Sequence, residues 1–155
     1  MMEPDKDLRF KIAISLIPGI GPVMARNLIA YIGSAEGIFS EKEKNLLKIP
    51  RIGEINARKI VTQDVMNEAL QEVEFIKKNN IQAYFYLDED YPERLKGCPD
   101  SPIILYFKGS CRLNENRIIS VVGTRNATAY GKETCDEMIR CFSEKNYRIT
   151  VVSGL

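Results

Sequence analysis

The chain has 155 residues, 45% hydrophobic and 28% charged, with a net charge of +1 and no histidine. That balance describes one ordinary globular domain or two small ones and excludes a mostly disordered protein. No apolar run reaches the roughly 20 residues of a membrane span, and "MMEPDKDLRF" lacks the basic start and apolar stretch of a signal peptide.

A cytoplasmic protein is therefore expected. Without histidine there is no Ser-His or Cys-His nucleophile pair. Cys98, Cys111, Cys135 and Cys141 form no C-x-x-C pair, so no metal site is expected and the thiols read as reduced and mostly buried. Basic and acidic side chains balance in both halves of the chain, so any anion site must be local.

From the amino terminus, residues 5–17 place Leu8, Ile12 and Leu16 at helical spacing, and Pro18 stops that helix. Then "IPGIGPVMARNLI" at 17–29 returns as "IPRIGEINARKIV" at 49–61, an internal duplication that aligns Ile17 with Ile49, Gly21 with Gly53, Ala25 with Ala57 and Arg26 with Arg58. Each copy reads as a helix, a tight apolar hairpin and a second helix packed through its alanine. In the first copy, Gly19 and Gly21 flank one buried isoleucine, so amides can turn outward at a helix start, an arrangement suited to phosphate.

The stretch resembles the helix-hairpin-helix motif, which contacts nucleic-acid backbones without reading sequence. That resemblance implies backbone contacts from Gly19, Gly21 and Arg26; the same units elsewhere only pack helices or bind proteins. The second copy departs from the pattern, with Arg51 at the first glycine and Glu54 after its hairpin.

Gly33 reads as a helix stop, and Ser40 three residues before Glu43 as a capping box. Residues 54–80, with Val65, Ala69, Val73 and Ile76, read as a long amphipathic helix ending at Asn79-Asn80. A helical domain is expected over 1–80 and a strand-rich one over 81–155.

The periodicity changes at "IQAYFYLD", 81–88, to a short strand, whose Tyr84, Phe85 and Tyr86 read as core more readily than as base-stacking residues. "IILYFKG" at 103–109 and "RIISVVG" at 117–123 are further strands, the latter apolar enough to be covered on both faces. Residues 128–147 read as a helix capped by Thr128, with Tyr130, Cys135, Met138 and Phe142 inward, and "RITVVSGL" as a last strand. Strand, glycine turn, helix, strand is a βαβ unit with parallel strands, and ligands of such sheets sit beyond the carboxyl ends of the strands. Gly123, Thr124, Arg125, Ser153 and Gly154 would lie on that rim.

A dinucleotide is disfavoured there. The next glycine after Gly123 is Gly131, so G-x-G-x-x-G is absent, and Ser153 stands where a ribose-binding acid belongs. No cofactor is expected. A turn at a helix start with an arginine and hydroxyls suits a phosphate of unspecified owner.

These residues resemble the DNA processing protein A family, also called DprA or Smf. Its Val-Gly-(Thr/Ser)-Arg turn matches Val122 to Arg125, its Tyr-Gly pair Tyr130-Gly131, and its Val-Ser-Gly strand end Val152 to Gly154. Upstream, Tyr91-Pro92 with Leu95, and Asp100, Pro102, Leu105, Tyr106 and Gly109, match two further family segments.

The resemblance implies a helical sterile-alpha-motif-like domain followed by a partial Rossmann-like parallel sheet. It also implies single-stranded DNA binding at Gly123, Thr124 and Arg125, with Ser153 and Gly154 on the same rim. Natural transformation, RecA loading, a homodimer in the complete protein and no enzymatic activity are implied as well. In the family Ser-Gly is followed by Ala-x-Gly-Ile-Asp and further strands, so the chain is expected to be the amino-terminal part of a longer protein, with an exposed strand edge prone to self-association. Two alternatives stay open: a protein-interaction module, and a nucleotide-hydrolysing domain whose only nearby acid is Glu133.

Overall fold

The computed structural model describes residues 3–124 and 126–154. The elements are α1 (Glu3–Leu16), α2 (Pro22–Ile32), α3 (Ala35–Ser40), α4 (Glu43–Leu46), α5 (Glu54–Thr62), α6 (Met66–Lys78), β1 (Gln82–Phe85), α7 (Glu93–Lys96), β2 (Ile104–Phe107), β3 (Ile118–Val121), α8 (Ala129–Glu144) and β4 (Thr150–Ser153). They form two compact units, Met1–Leu113 and Asn114–Leu155. Among the described residues no helix is long and apolar enough to cross a membrane.

In the first unit, α1 lies against α6 and α3. Its Ile12, Ala13 and Ile14 are fully buried together with Leu28, Ile38, Leu46 and Ile60. Burying one such leucine or isoleucine contributes about 1.5–3 kcal/mol, so this cluster carries most of the unit's stability.

The duplication is structural as well as textual. Ile20 and Ile52 each donate their N–H to the isoleucine three residues back, Ile17 and Ile49, both at 3.1 Å. Ala25 and Ala57 donate to Gly21 and Gly53, both at 2.9 Å. The two N-caps adopt φ −81°, ψ 174° at Gly21 and φ −87°, ψ 173° at Gly53. Arg51, which breaks the glycine pattern, takes the same left-handed backbone as its counterpart, φ +67° against φ +86° at Gly19. The hairpin shape is thus kept despite the substitution.

Several local expectations are corrected. Ser40 is not a cap: it ends α3, and the N-cap of α4 is Lys42, without a side-chain bond. The serine that does cap a helix is Ser34, whose Oγ accepts from Gly37 N at 3.0 Å. Gly33 stops α2 as expected, at φ +92° with its N–H on Ile29 O. The helix read through 54–80 is two helices, because Gln63 turns extended and its Oε1 accepts from Val65 N at 2.9 Å. Cys98 and Cys111 are exposed, not buried; Cys135 and Cys141 are half-buried, and all four thiols are free.

Strands β1 and β2 pair antiparallel, Gln82 opposite Phe107 and Phe85 opposite Ile104. Phe85, Ile103 and Ile104 join the same apolar cluster as the helices. The change of periodicity at residue 81 and the division between compact units therefore fall at different places.

In the second unit, β3 and β4 are parallel, Ile118 opposite Thr150 and Val121 opposite Ser153. Thr128 caps α8, accepting from Gly131 N at 3.1 Å. Cys135, Met138 and Phe142 form a half-buried stripe at spacings of three and four residues, but Tyr130 is 78% exposed. Five residues before Cys135, it falls off the arc of that stripe.

Strands covered on both faces are not found here either. In β3, Ile118, Ile119 and Val121 are only half-buried and Ser120 is exposed, Val122 after it is 89% exposed, and none of the described residues of this unit is fully buried. With apolar burial this unequal, local opening differs between the units. Amides of β3 and β4 are expected to exchange with deuterium well before those of α1 and α2; comparable protection in a hydrogen-exchange experiment would contradict that ordering.

Candidate nucleic-acid interface

The register of β3 and β4 brings four of the expected rim residues to one end of the sheet. Val121 faces Ser153, so Gly123 and Thr124 follow one strand at the end where Ser153 and Gly154 close the other. All four are exposed, and a Cβ built at Gly123 or Gly154 would meet nothing within 4 Å. The Thr124 hydroxyl donates to Asn126 O at 3.0 Å. Arg125 lies outside the described residues.

The 16-residue α8 starts beside this turn with no acid in its first turn. Its Thr128 cap satisfies one first-turn amide. The amides left over and the helix dipole give the turn a positive field. The chemistry available is hydrogen-bond donation to an anion from open backbone.

The first hairpin offers a second donor set. Gly21 caps α2 without a side chain, Pro22 occupies the first turn, and no acid stands there. The equivalent turn of α5 carries Glu54, which opposes an anion. Gly21 has nothing within 4 Å of a built Cβ, whereas a Cβ at Gly19 would come 2.9 Å from Lys59 Nζ. The ammonium beside the first hairpin thus comes from the second repeat. Sequence reasoning passed over Lys59, because no local pattern signals a contact between copies.

Arg26, read from sequence as a supporting cation, has its guanidinium engaged within the chain. Nη1 donates to Cys98 O at 2.9 Å and Pro99 O at 3.0 Å, and Nη2 to Ser101 Oγ at 2.6 Å. The group also lies 4.9 Å from the Tyr86 ring centroid. Burial raises the pKa of that phenol, with the Arg26 charge pulling it the other way. Arg58, the repeat equivalent, is exposed and lines a shallow depression with Glu54, Ile55, Lys59 and Thr62.

Two residues near the upstream resemblance serve the fold. Tyr91 is fully buried and donates its hydroxyl to Pro102 O at 2.6 Å. Ser101, 5% exposed, donates to Leu95 O at 2.7 Å while accepting from Arg26. Phe85 is core, as expected, and the Tyr84 hydroxyl bonds to Gln82.

Replacing Gly19 by alanine forces a side chain into a left-handed backbone, a cost of about 1–2 kcal/mol. The Lys59 ammonium can swing away, so the backbone term dominates. Urea unfolding of Gly19→Ala should show that loss; an unchanged midpoint would mean that the hairpin relaxes freely.

Residues 82–155 match the family model described as DNA recombination-mediator protein A, and residues 10–63 match the SAM-like helix-hairpin-helix tandem. Protein Smf of Synechocystis sp. is 27% identical over 148 residues, covering 93% of this chain and 37% of that protein. DNA processing protein DprA of Bacillus subtilis is 40% identical over 68 residues, 43% of this chain and 22% of that protein. UvrABC system protein C of Acinetobacter baumannii is 38% identical over 47 residues, 30% of this chain and 8% of that protein. The chain therefore spans little more than a third of the length of the first of these relatives and less of the others.

Proposed function

Because the chain belongs to the DprA/Smf family of DNA-processing proteins, we propose that it binds single-stranded DNA through sequence-independent phosphate contacts. It does so in DNA uptake during natural transformation. In this reading the complete protein is a cytoplasmic homodimer that passes the strand to the RecA recombinase and catalyses no reaction.

The observation that carries the reading is the open turn in the family-matched segment, where Gly123, Thr124, Ser153 and Gly154 lie exposed at the carboxyl ends of two parallel strands. Arg125 follows that turn in sequence and supplies its cation. The first hairpin adds backbone amides and Lys59 as a second, independent phosphate contact, an assignment supported by the tandem-hairpin match and by the absence of an acid from the first turn of α2.

The test is fluorescence-anisotropy titration of labelled oligo-dT, single-stranded and duplex, at two salt concentrations. Preferential binding of the single strand that weakens with salt is expected, since each neutralised phosphate of a single strand adds about −0.7 to the slope of log K against log salt. A folded chain that binds neither form would overturn the reading.

A further inference from the structure

Between the two hairpins lies a groove of 570 Å³ whose use nothing above assigns. Val23, Asn27 and Ala30 stand at i, i+4 and i+7 of α2 and so share the face that forms one wall. Pro50 and Arg51 of the second hairpin form the other, and Asn27 Nδ2 ties the walls together by donating to Pro50 O at 2.6 Å. The lining is mostly apolar, contains no acid, and includes two arginines: Arg26, whose guanidinium is engaged by Cys98 O, Pro99 O and Ser101 Oγ, and Arg51. Gly21 and Pro22, the helix start already proposed to hold a phosphate, also line the groove.

Arg51 is the telling residue. It holds φ +67° where the first copy uses glycine at φ +86°. Arginine lacks the short side chain that lets asparagine or aspartate visit this region at little cost. Glycine would relieve the strain without changing the hairpin, yet this copy carries an exposed arginine among the residues lining an apolar groove. A strained non-glycine backbone beside a cleft points to a ligand contact.

Building on the DNA-binding reading, we propose that the groove seats one unstacked base of the bound single strand. The base lies between Pro22, Val23 and Pro50 with the Arg51 guanidinium over its face, and the neighbouring phosphate rests at Gly21. An apolar slot with a guanidinium plane accepts any base, because every base has a π face. A base held in a duplex cannot enter, so the groove also contributes preference for single strands.

The experiment compares oligo-dT with an abasic oligonucleotide of the same length, titrated against wild type, Arg51→Gly and Ala30→Trp. Wild type is expected to bind the intact strand about tenfold more tightly, the effect of one stacked base. Arg51→Gly should melt no lower than wild type, because it relieves the strained backbone, and should lose most of that preference. Ala30→Trp, placed on an exposed helix position, should fill the groove and abolish it. Equal binding of both oligonucleotides by wild type would overturn the groove proposal while leaving phosphate binding intact. A preference retained by both variants would overturn it as well. Binding of neither oligonucleotide would overturn the DNA-binding reading, and this proposal with it.

Discussion

Arg26→Ala should destabilise the first unit by about 2–3 kcal/mol in urea unfolding, with little change in DNA affinity measured where the variant is folded. The guanidinium satisfies two carbonyls, Cys98 O and Pro99 O, and the nearly buried Ser101 hydroxyl. Hydrogen bonds from charged donors contribute about 1.5–3 kcal/mol, and acceptors left without partners add their own desolvation cost. Contact with the Tyr86 ring adds about 0.5–1 kcal/mol at a partly exposed site. Solvent access at this position keeps the sum toward the lower end.

Arg58→Ala is the internal control. It removes the same residue type from the same place in the other repeat, where the side chain is exposed, and should change stability by less than about 0.5 kcal/mol. If Arg26→Ala instead weakened DNA binding strongly and left stability unchanged, Arg26 would be a phosphate contact and its bonds to the 98–101 loop dispensable. Arg26→Lys should fall between wild type and alanine, because one ammonium cannot reproduce the forked donation to three acceptors.

Arg125→Ala should lower single-strand affinity by about tenfold and reduce the salt slope by about 0.7, the loss of one phosphate contact. The flanking geometry motivates that size: Gly123 and Thr124 are exposed with open space at the glycine, and the capped start of α8 follows within a few residues. In the proposed reading, the charge of Arg125 acts together with backbone donors. Removing it leaves the amides and the helix dipole, so binding should weaken without vanishing. Affinity and salt slope both unchanged would remove this turn from the interface and leave the hairpin groove as the main contact. Comparing Arg125→Ala with Arg51→Gly at matched salt separates the two contributions, since the first should alter the response to salt and the second the response to the missing base.

The Asn114–Leu155 unit bears on how such measurements are made. Its apolar strand residues Val151 and Val152 are 41% and 49% exposed. Exposed apolar strand surface of this kind favours association, so titrations belong at low protein concentration with the oligomeric state monitored.

Much of the architecture was legible from short-range pattern. The repeat, the two glycine-isoleucine hairpins, the Gly33 stop, the Thr128 cap and the parallel β3–α8–β4 unit each depend on residues a few positions apart. Backbone dihedrals and helix caps are decided by neighbours within about one turn, which is why spacing alone locates them. The rim formed by Gly123, Thr124, Ser153 and Gly154 was legible for a related reason, because a parallel crossover leaves the ends of both strands on one side. Where short-range reading failed, at Ser40 and at the break between α5 and α6, another local arrangement is adopted: α4 starts from Lys42, and Gln63 turns extended with its side chain accepting from Val65 N.

What only the tertiary structure decided are the encounters across long stretches of chain. Arg26 meets acceptors more than 70 residues away, Lys59 reaches the hairpin of the other repeat, and β1 with β2 buries Phe85, Ile103 and Ile104 in the helical core. Arg26 and Arg58 occupy the same place in the two copies and have different fates, because one copy lies under the 98–101 loop and the other faces solvent. The Ala-Arg pattern shared by the two copies cannot distinguish them; the energy that does so comes from partners brought in by the collapse of the whole unit.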